Sequence, residues 1–498
     1  MRTASILYLG PGMSFSFYKL LDKPHISFYY VTELITLTSE RYIIIMNRTT
    51  TMTAGNPAKL IVNFAFPLIL ANLGQQFYTI VDAMIVGQGV GVEALAAVGA
   101  TDWSYWLALW FIGAMTQGFA VPISQYFGEG NEKQLKRSVT ASIRLCLGIG
   151  IFLMVFCLAI GRPLLHLLQT PDNIFDSALS YLITMYCGIL IVMAYNMAAS
   201  ILRGLGDGKT PLVAIIIAGF TNIVLDALFV LVFHWGIFGA AVATLASQLL
   251  AFLYCFRILV KMDLMKMTRD DWQIGKNIVR NQCRLGLPPA FQHVLIVIGG
   301  MILQFAINQQ GFVFIAGFTA TNKIYGVLES SAISIGHAIS TYSAQNYGAG
   351  LYSRIRKGLK SALLIGLSIS TAISVVMILF GRHVVALFID QENANAGEVL
   401  DVAYNYLFVM CLTLFTLYML HIFRSTLMGL GNASAPFWSG VMEFLARVSI
   451  AILFTKWFGT DALYFAEPGA WIASIAVLIT VCLKMIRELP EETMLQTK

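Results

Sequence analysis

Long apolar runs recur along almost the whole chain, and they constrain its fold more than any other feature. Each run has about 20 residues, the length that crosses a bilayer core of about 30 Å as an α-helix. The chain has 498 residues, of which 58% are hydrophobic and 12% charged, and its mean hydropathy is +0.74. This composition excludes a water-soluble domain and predicts an integral membrane protein. The runs lie near residues 60–86, 94–122, 139–160, 178–201, 211–233, 236–260, 285–308, 313–341, 359–380, 402–427, 436–457 and 468–486.

The pattern within these runs predicts helices. Hydrocarbon offers no partner for backbone polar groups, so a span is either a helix or a strand of a closed barrel. The runs lack the alternation and the length of about 10 residues that barrel strands have. We therefore predict an all-α integral membrane fold with twelve transmembrane helices. The seven cysteines lie in or beside apolar runs without CxxC spacing, so we predict neither a disulfide scaffold nor a zinc site.

Lysine and arginine are distributed unevenly between the loops, and this asymmetry predicts the orientation. If the amino terminus is cytoplasmic, almost all loop cations face inward, and only Arg162, Arg382 and Lys456 lie outside. Cytoplasmic loops carry the excess of basic residues in membrane proteins. We therefore expect a multi-pass protein of the cell membrane with both termini in the cytoplasm. The formal charge of +6 then reflects orientation, and no nucleic-acid partner is expected.

Residues 1–50 fit the pattern of spans poorly. Short apolar pieces are interrupted by charged residues and Pro24, without the apolar core or cleavage site of a signal peptide. We predict that residues 1–50 are an amino-terminal extension outside the fold. Met46 and Met52 both precede the first span, so translation from one of them is an alternative. Native peptides from residues 1–45 would contradict that alternative.

An internal repeat predicts the architecture. Three stretches recur in order at offsets of 220 to 225 residues: QYFGEG at 125 and QNYGAG at 345, Pro67 and Pro288, and SILRGLG at 200 and STLMGLG at 425. Six spans separate corresponding points, so both halves have the same orientation and are related by a pseudo-two-fold axis along the membrane normal. We predict two six-helix bundles, residues 55–260 and 285–487. A cytoplasmic connector, residues 261–284, lies between them, and a tail occupies residues 488–498.

Two short stretches leave alternatives or exclude a function. Part of the connector reads either as an amphipathic surface helix or as a plain linker. GLGDGKT at 204–210 superficially resembles a phosphate-binding loop, but Arg203 stands where that motif needs its first glycine, and the segment before it reads as a helix. A helix cap followed by a turn explains the glycines, so we predict no nucleotide and no other cofactor.

Polar residues inside the first-half spans predict a cation site, because such residues are costly in a membrane. Asp82 lies on the first span, Asn222 and Asp226 lie one turn apart on the fifth, and Thr244 and Gln248 repeat this spacing on the sixth. If these faces converge, their oxygens suit Na⁺ or exchanging protons. Two carboxylates in a low-dielectric pocket resist ionising together, so at least one should hold a proton near neutral pH. The alternative is that both acids are hydrogen-bonded structural groups.

The second half has a different set of polar residues. Glu443 and Arg447 lie one turn apart on the eleventh span, so they form either a fixed structural ion pair or a gating element. For the lone His337 and His421 we favour packing roles, and for Trp103, Tyr105 and Trp106 an interfacial belt. Weaker candidates for substrate binding or gating, beside that pair, are Gln76, Tyr78, Gln248, Gln292 and Lys323.

At this point the sequence resembles a known family. NPAKLIVNFAFPLILANLGQQFYTIVDAMIVGQGVGVEALAAVG, QYFGEGN, ILRGLGDGKTP, NIVLDALFV, GAAVAT and AQNYGAG look, in this order, like the multidrug and toxic compound extrusion (MATE) family, over residues 55–487. The resemblance implies alternating access, and it implies a cation site of the prokaryotic DinF-like branch at Asp82, Asn222, Asp226 and Thr244. Where a second branch has acids in its second half, this chain has Ile296 and Leu417. A second-half cation site is therefore not expected.

The expected function is secondary antiport, the export of small cationic or amphipathic organic compounds coupled to Na⁺ or H⁺ influx. The partners would be these substrates and the lipid bilayer, and we expect a monomer. The alternative within the same fold is a flippase for lipid-linked saccharides or lipids, which the few cations inside spans (Arg144, Lys323 and Arg447) disfavour. A passive channel is a further alternative. No nucleophile–base or metal-binding motif indicates an intramembrane enzyme.

Overall fold

The structure is a computed structural model that describes residues 50–389 and 395–490. The predicted amino-terminal extension, apart from Thr50, and the tail beyond residue 490 lie outside these residues. The fold begins earlier than the predicted position 55, because Met52 is fully buried and its N–H donates to Gln345 Oε1 at 2.8 Å.

Seven α-helices form the six spans of the first half. Asn56 caps the first of them by accepting from the N–H groups of Ala58 and Lys59. The fourth and fifth helices are one span bent by 46° at Gly188. The helices are α1 (Pro57–Gly89), α2 (Val92–Glu129), α3 (Glu132–Leu167), α4 (Asp172–Cys187), α5 (Ile189–Gly204), α6 (Lys209–Asp226) and α7 (Gly236–Lys261).

The second half repeats this order with six spans of its own. Its helices are α8 (Lys276–Asn308), α9 (Phe312–Gly348), α10 (Tyr352–Ala386), α11 (Ala396–Gly429), α12 (Ser434–Ser449), the short α13 (Thr455–Phe458) and α14 (Ala466–Glu488). A π-helical segment follows α6 at Ala227–Val232, and another joins α12 to α13 at Ile450–Phe454. The two π segments occupy corresponding places in the halves.

The predicted all-α fold with twelve spans is confirmed. Within the described residues ten helical segments are long and apolar enough to cross a membrane, and the bent α4–α5 pair is an eleventh. The remaining span is α9, whose buried face includes Ser334, Ser340, Gln345 and Asn346. Because α9 packs against helices of both halves, it is covered by protein and needs less apolar surface than a lipid-facing span.

The halves meet most closely at one end of the bundle. We call this the basic end: the helix ends around Gly130, Gly206, Gly350 and Gly431, together with the basic connector. Here Gly128 packs on the Gln345 carbonyl group, and Gly348 packs on the Gln125 carbonyl group, so each position excludes a Cβ atom. These two contacts are related by the internal repeat.

Hydrogen bonds reinforce the basic end. The Gln345 Nε2 donates to the Gly204 carbonyl oxygen at 3.0 Å, and Thr341 Oγ1 donates to the Arg203 carbonyl oxygen at 3.3 Å. The Gln125 Nε2 donates to the Gly429 carbonyl oxygen at 2.9 Å. The halves are therefore locked together at this end.

The connector between α7 and α8 is built from turns. Two short 3₁₀ turns, Asp263–Met265 and Arg269–Trp272, stand where one of the two predictions placed a surface helix. The last residues of the predicted connector, from Lys276 onward, already belong to α8. The Thr268 N–H donates to Asp271 at 2.7 Å and holds the pKa of that carboxyl below its usual value. Arg144, which we had placed inside a span, is exposed and stacks on Trp272 of the connector.

We expect Gly128→Ala to separate the two halves at the basic end, because the new methyl group would collide with the backbone carbonyl of Gln345. Spin labels at the exposed Lys133 and Lys357, in a background without the seven cysteines, would measure the separation. The distance distribution should shift to longer values.

Gly113→Ala is the matched control, because a Cβ at that position of the same helix meets no atom within 4 Å. It should leave the distances as in the parent protein. Equal distance distributions for the two variants would contradict the close contact at Gly128.

Candidate functional site

Two carboxylates face each other between α1 and α6. Asp226 is fully buried and Asp82 partly buried, and the two carboxyl groups interact electrostatically. Asp226 is the last residue of α6 before the π-helical segment. The helices α1 and α6 pack along each other, and this packing brings together two acids that are 144 positions apart in the sequence.

The other two residues of the predicted site lie beside this pair. Asn222 is buried one turn before Asp226 on α6. Its Nδ2 is 3.5 Å from Thr244 Oγ1 on α7, where the hydroxyl accepts a long hydrogen bond. Gln248, one turn further along α7, has a buried Oε1. The structure therefore places Asp82, Asn222, Asp226 and Thr244 together.

Several oxygens of this group have no donor. Within the described residues, Asp82 Oδ1, both carboxylate oxygens of Asp226, Asn222 Oδ1 and Gln248 Oε1 are buried without a hydrogen-bond partner. A buried acceptor without a partner is destabilising, so such a cluster favours a proton or a small hard cation. No group of three or more His, Cys, Asp or Glu side chains suited to a metal occurs in the described part of the chain.

Tyrosine rings separate this group from its surroundings, and sequence reasoning missed most of them. Tyr105 is 8% exposed and adjoins Gln248, so its predicted place in an interfacial belt is wrong, whereas Trp103 and Trp106 are exposed as a belt requires. Tyr78 is partly buried and packs on Gly219 of α6. Tyr181 on α4 is buried near both acids. Burial beside aromatic rings lowers the effective dielectric constant and so strengthens the interaction between nearby charges.

In the second half the predicted pair belongs to a longer chain of ions. Arg424 Nη2 is 2.6 Å from Glu443, Glu443 is 3.3 Å from Arg447, and Arg447 is 2.7 Å from Glu467. Arg447 Nη1 also donates to the Ile296 carbonyl oxygen at 3.1 Å. We call these four residues the ion chain. Its charges sum to zero, and all four side chains are largely buried.

Sequence reasoning found only the middle of the ion chain. The spacing of Glu443 and Arg447 on α12 is visible in the sequence, whereas Arg424 is on α11 and Glu467 on α14. Arg424 was not counted among the cations inside spans, and the structure places it in α11 at 8% exposure. His421, predicted to have a packing role, is 3.8 Å from Glu329.

The weaker candidates do not form one site. Gln76 is exposed on α1 and reaches towards Gly326 of α9. Lys323 is exposed on α9 and interacts electrostatically with Asp102 of α2, an acid that sequence reasoning did not single out. Gln292 is fully buried, and neither of its amide atoms has a hydrogen-bond partner in the described residues.

One pair of corresponding positions in the repeat carries a neutral amide in the first half and a cation in the second. At the offset of 225 residues that relates Pro211 to Pro436, Asn222 corresponds to Arg447. In the first half this position leaves an unpartnered amide oxygen beside an acid. In the second half a guanidinium group fills it, held between Glu443 and Glu467. The second half therefore contains a permanent cation where the first half leaves its oxygens unpaired.

A single family model, MatE, matches the chain twice, at residues 67–228 and 288–453. The two matched segments begin 221 residues apart, and one lies within each bundle. The duplication inferred from the sequence is confirmed by this double match.

Individual relatives agree with the family model. The probable multidrug resistance protein YpnP of Bacillus subtilis is 30% identical over 350 residues, 70% of this chain and 78% of that protein. The DNA damage-inducible protein F of Escherichia coli is 24% identical over 82% of this chain and 88% of its own length. The structure of a MOP superfamily transporter from Pyrococcus furiosus superposes with a TM-score of 0.83 at 22% identity, covering 90% of this chain and all of that one. The chain therefore belongs to the MATE family of membrane transporters.

Proposed function

We propose that the protein is a secondary antiporter that exports small cationic or amphipathic organic compounds in exchange for Na⁺ or H⁺. The observation that carries this proposal is the set of unpartnered buried oxygens around Asp82 and Asp226. A site of this kind binds and releases a cation without rebuilding the protein around it. The multidrug resistance names of several relatives support the substrate class.

Alternating access follows from how the halves meet. The basic end is locked, so in this conformation the pathway between the halves would open to the opposite side. By the distribution of Lys and Arg, the basic end is cytoplasmic and the protein lies in the cell membrane with both termini inside. Cation binding shifts the equilibrium between the two conformations through its different affinity for each.

Coupling is assigned to the first half alone. The corresponding place in the second half is filled by Arg447, whose charge is neutralised by Glu443 and Glu467. The guanidinium group of Arg447 is covalently part of the protein and cannot dissociate, so this position has no exchangeable cation. We propose that the ion chain is structural and that it holds α11, α12 and α14 together.

The alternative functions have weaker support. A flippase for lipid-linked substrates would need cations along the pathway that are free to bind the substrate. Two of the cations in helices, Arg424 and Arg447, are already paired with acids. A passive channel does not require a buried pair of acids with unpartnered oxygens. Concentration of a substrate against its gradient would distinguish antiport from a channel.

Asp82→Asn should abolish cation-coupled export, because it removes one of the two acids while keeping the shape of the side chain. The measurement is dye efflux from proteoliposomes with an imposed sodium gradient or an imposed pH gradient. We expect a loss of gradient-driven efflux to below about a tenth of the parent rate, as the loss of one charged ligand implies.

Asp176→Asn is the matched control for this variant, since Asp176 is an exposed acid on α4 of the same half. It should retain the parent rate. Unchanged gradient-driven efflux in folded Asp82→Asn protein would defeat the assignment.

Asn222→Leu should distinguish sodium from proton coupling, because the amide oxygen is a ligand for Na⁺ and does not exchange a proton. If sodium drives export, the half-saturating sodium concentration should rise about tenfold or more. If protons drive it, efflux under a pH gradient should stay within about twofold of the parent. A normal sodium response in a sodium-driven protein would exclude Asn222 as a ligand.

Arg447→Met should destabilise the second half by about 3–5 kcal/mol, because Glu443 and Glu467 then lose a buried cation. The fraction of protein that remains monodisperse after heating in detergent measures this loss. The double variant Arg447→Met/Glu467→Gln should recover part of it. Transport per folded molecule should remain near the parent rate, and a complete loss there would favour a gating role.

A further inference from the structure

A small cavity lies between the two halves at the basic end. Its walls come from α2 and α5 of the first half and from α9 of the second. Gln117 and His337 face it from positions that the repeat relates at an offset of 220, and so do Ser124 and Ala344. The cavity therefore lies on the pseudo-two-fold axis, in the surface where the halves close.

One charged residue lines this cavity, and it is a cation. Arg203 lies in the last turn of α5, and its Nη2 donates to Ser200 Oγ at 2.8 Å. The ion pairs formed among the described residues do not include Arg203, and none of the lining residues is acidic. The carbonyl end of α5 offsets only part of the cost of removing a guanidinium group from water. The corresponding residue of the repeat is Met428, so the cation is specific to the first half.

The other polar groups of the cavity offer donors. The Ser340 hydroxyl makes no hydrogen bond within the described part of the chain, and its donor is free to turn inward. His337 and Gln117 each carry at least one N–H donor in the neutral state. Thr341 Oγ1 already donates to the Arg203 carbonyl oxygen across the halves. A guanidinium group surrounded by hydroxyl and amide donors is complementary to an anion.

We propose that this cavity binds a small inorganic anion, chloride or phosphate, and that the anion holds the basic end closed. Arg203 of the first half and Ser340 of the second would donate to the same ion. Because separation of the halves divides these donors, the anion has lower affinity for the open basic end. It therefore shifts the equilibrium towards the closed one. This role is independent of the cation site and of which cation drives transport.

The test measures the Tm of the purified full-length protein in detergent at constant sodium concentration and ionic strength. Sodium gluconate supplies an anion too large for the donors to enclose, and sodium chloride and sodium phosphate are the two test arms. We expect one of the two anions to raise the Tm by about 2 °C or more at saturation. The arm that does so identifies the anion.

Arg203→Met, which introduces the residue of the second half, should abolish that rise. Lys209→Met is the matched control, because Lys209 is an exposed cation at the same end that does not line the cavity. It should keep the rise. An equal rise in all three proteins, its loss in Lys209→Met, or no rise in the parent with either anion would overturn the proposal.

Ser340→Ala covers the case in which Arg203→Met does not fold. It removes one donor without changing the charge, and Ala120 is its counterpart in the repeat. The half-saturating concentration of the active anion should increase about tenfold, as the loss of one hydrogen bond to an ion implies. An unchanged half-saturating concentration would count against the site. Spin labels at Lys133 and Lys357 should report shorter distances with the active anion than with gluconate, and identical distances would contradict the closing role.

Discussion

A polar side chain inside a membrane must find its partner within the protein, and the two halves of this chain meet that requirement in opposite ways. In the second half the buried charges of Arg424, Glu443, Arg447 and Glu467 alternate in sign and contact one another. The first half leaves the oxygens of Asp82 and Asp226 without donors. Buried charges that neutralise one another stabilise a scaffold, whereas unpaired acids retain the capacity to take up a cation. Both solutions occupy corresponding parts of one duplicated bundle.

The contact between the halves depends on the smallest side chains. At Gly128 and Gly348 the backbone of one half lies directly on the backbone of the other, so the basic end closes with almost no side chain between. Close backbone approach through small residues is the usual way in which helices associate in membranes, where apolar burial alone contributes little. Polar residues of α9 surround this contact, and among the described spans α9 is the one without a sufficiently apolar stretch of its own.

The sequence was sufficient for the fold, and for the site where its residues lie one helical turn apart. Apolar length predicted twelve spans, and repeated motifs predicted two halves. Asn222 and Asp226 were recognised because four residues make about one helical turn, and Asp82 because an acid in a span is rare.

The Arg424 and Glu467 ends of the ion chain were missed, because their contacts join helices far apart in the sequence. Pairings of that kind depend on tertiary packing, which no local pattern records. Tyr105 was misassigned for the same reason, since an aromatic residue in a span reads identically whether it faces lipid or protein.

The π-helical segments at Ala227–Val232 and Ile450–Phe454 lie at matching places, although only the first follows an acid. Both halves share this feature, whereas the residues beside it differ. Each widened turn contains an additional residue, which loosens the pairing of nearby carbonyl groups and lets the helix bend there at little cost. Each half thus has a place for bending just after its Asp226 or Ser449 position. In our proposal only the first of these places adjoins a cation site, so cation binding could act on the bend of one half and not of the other.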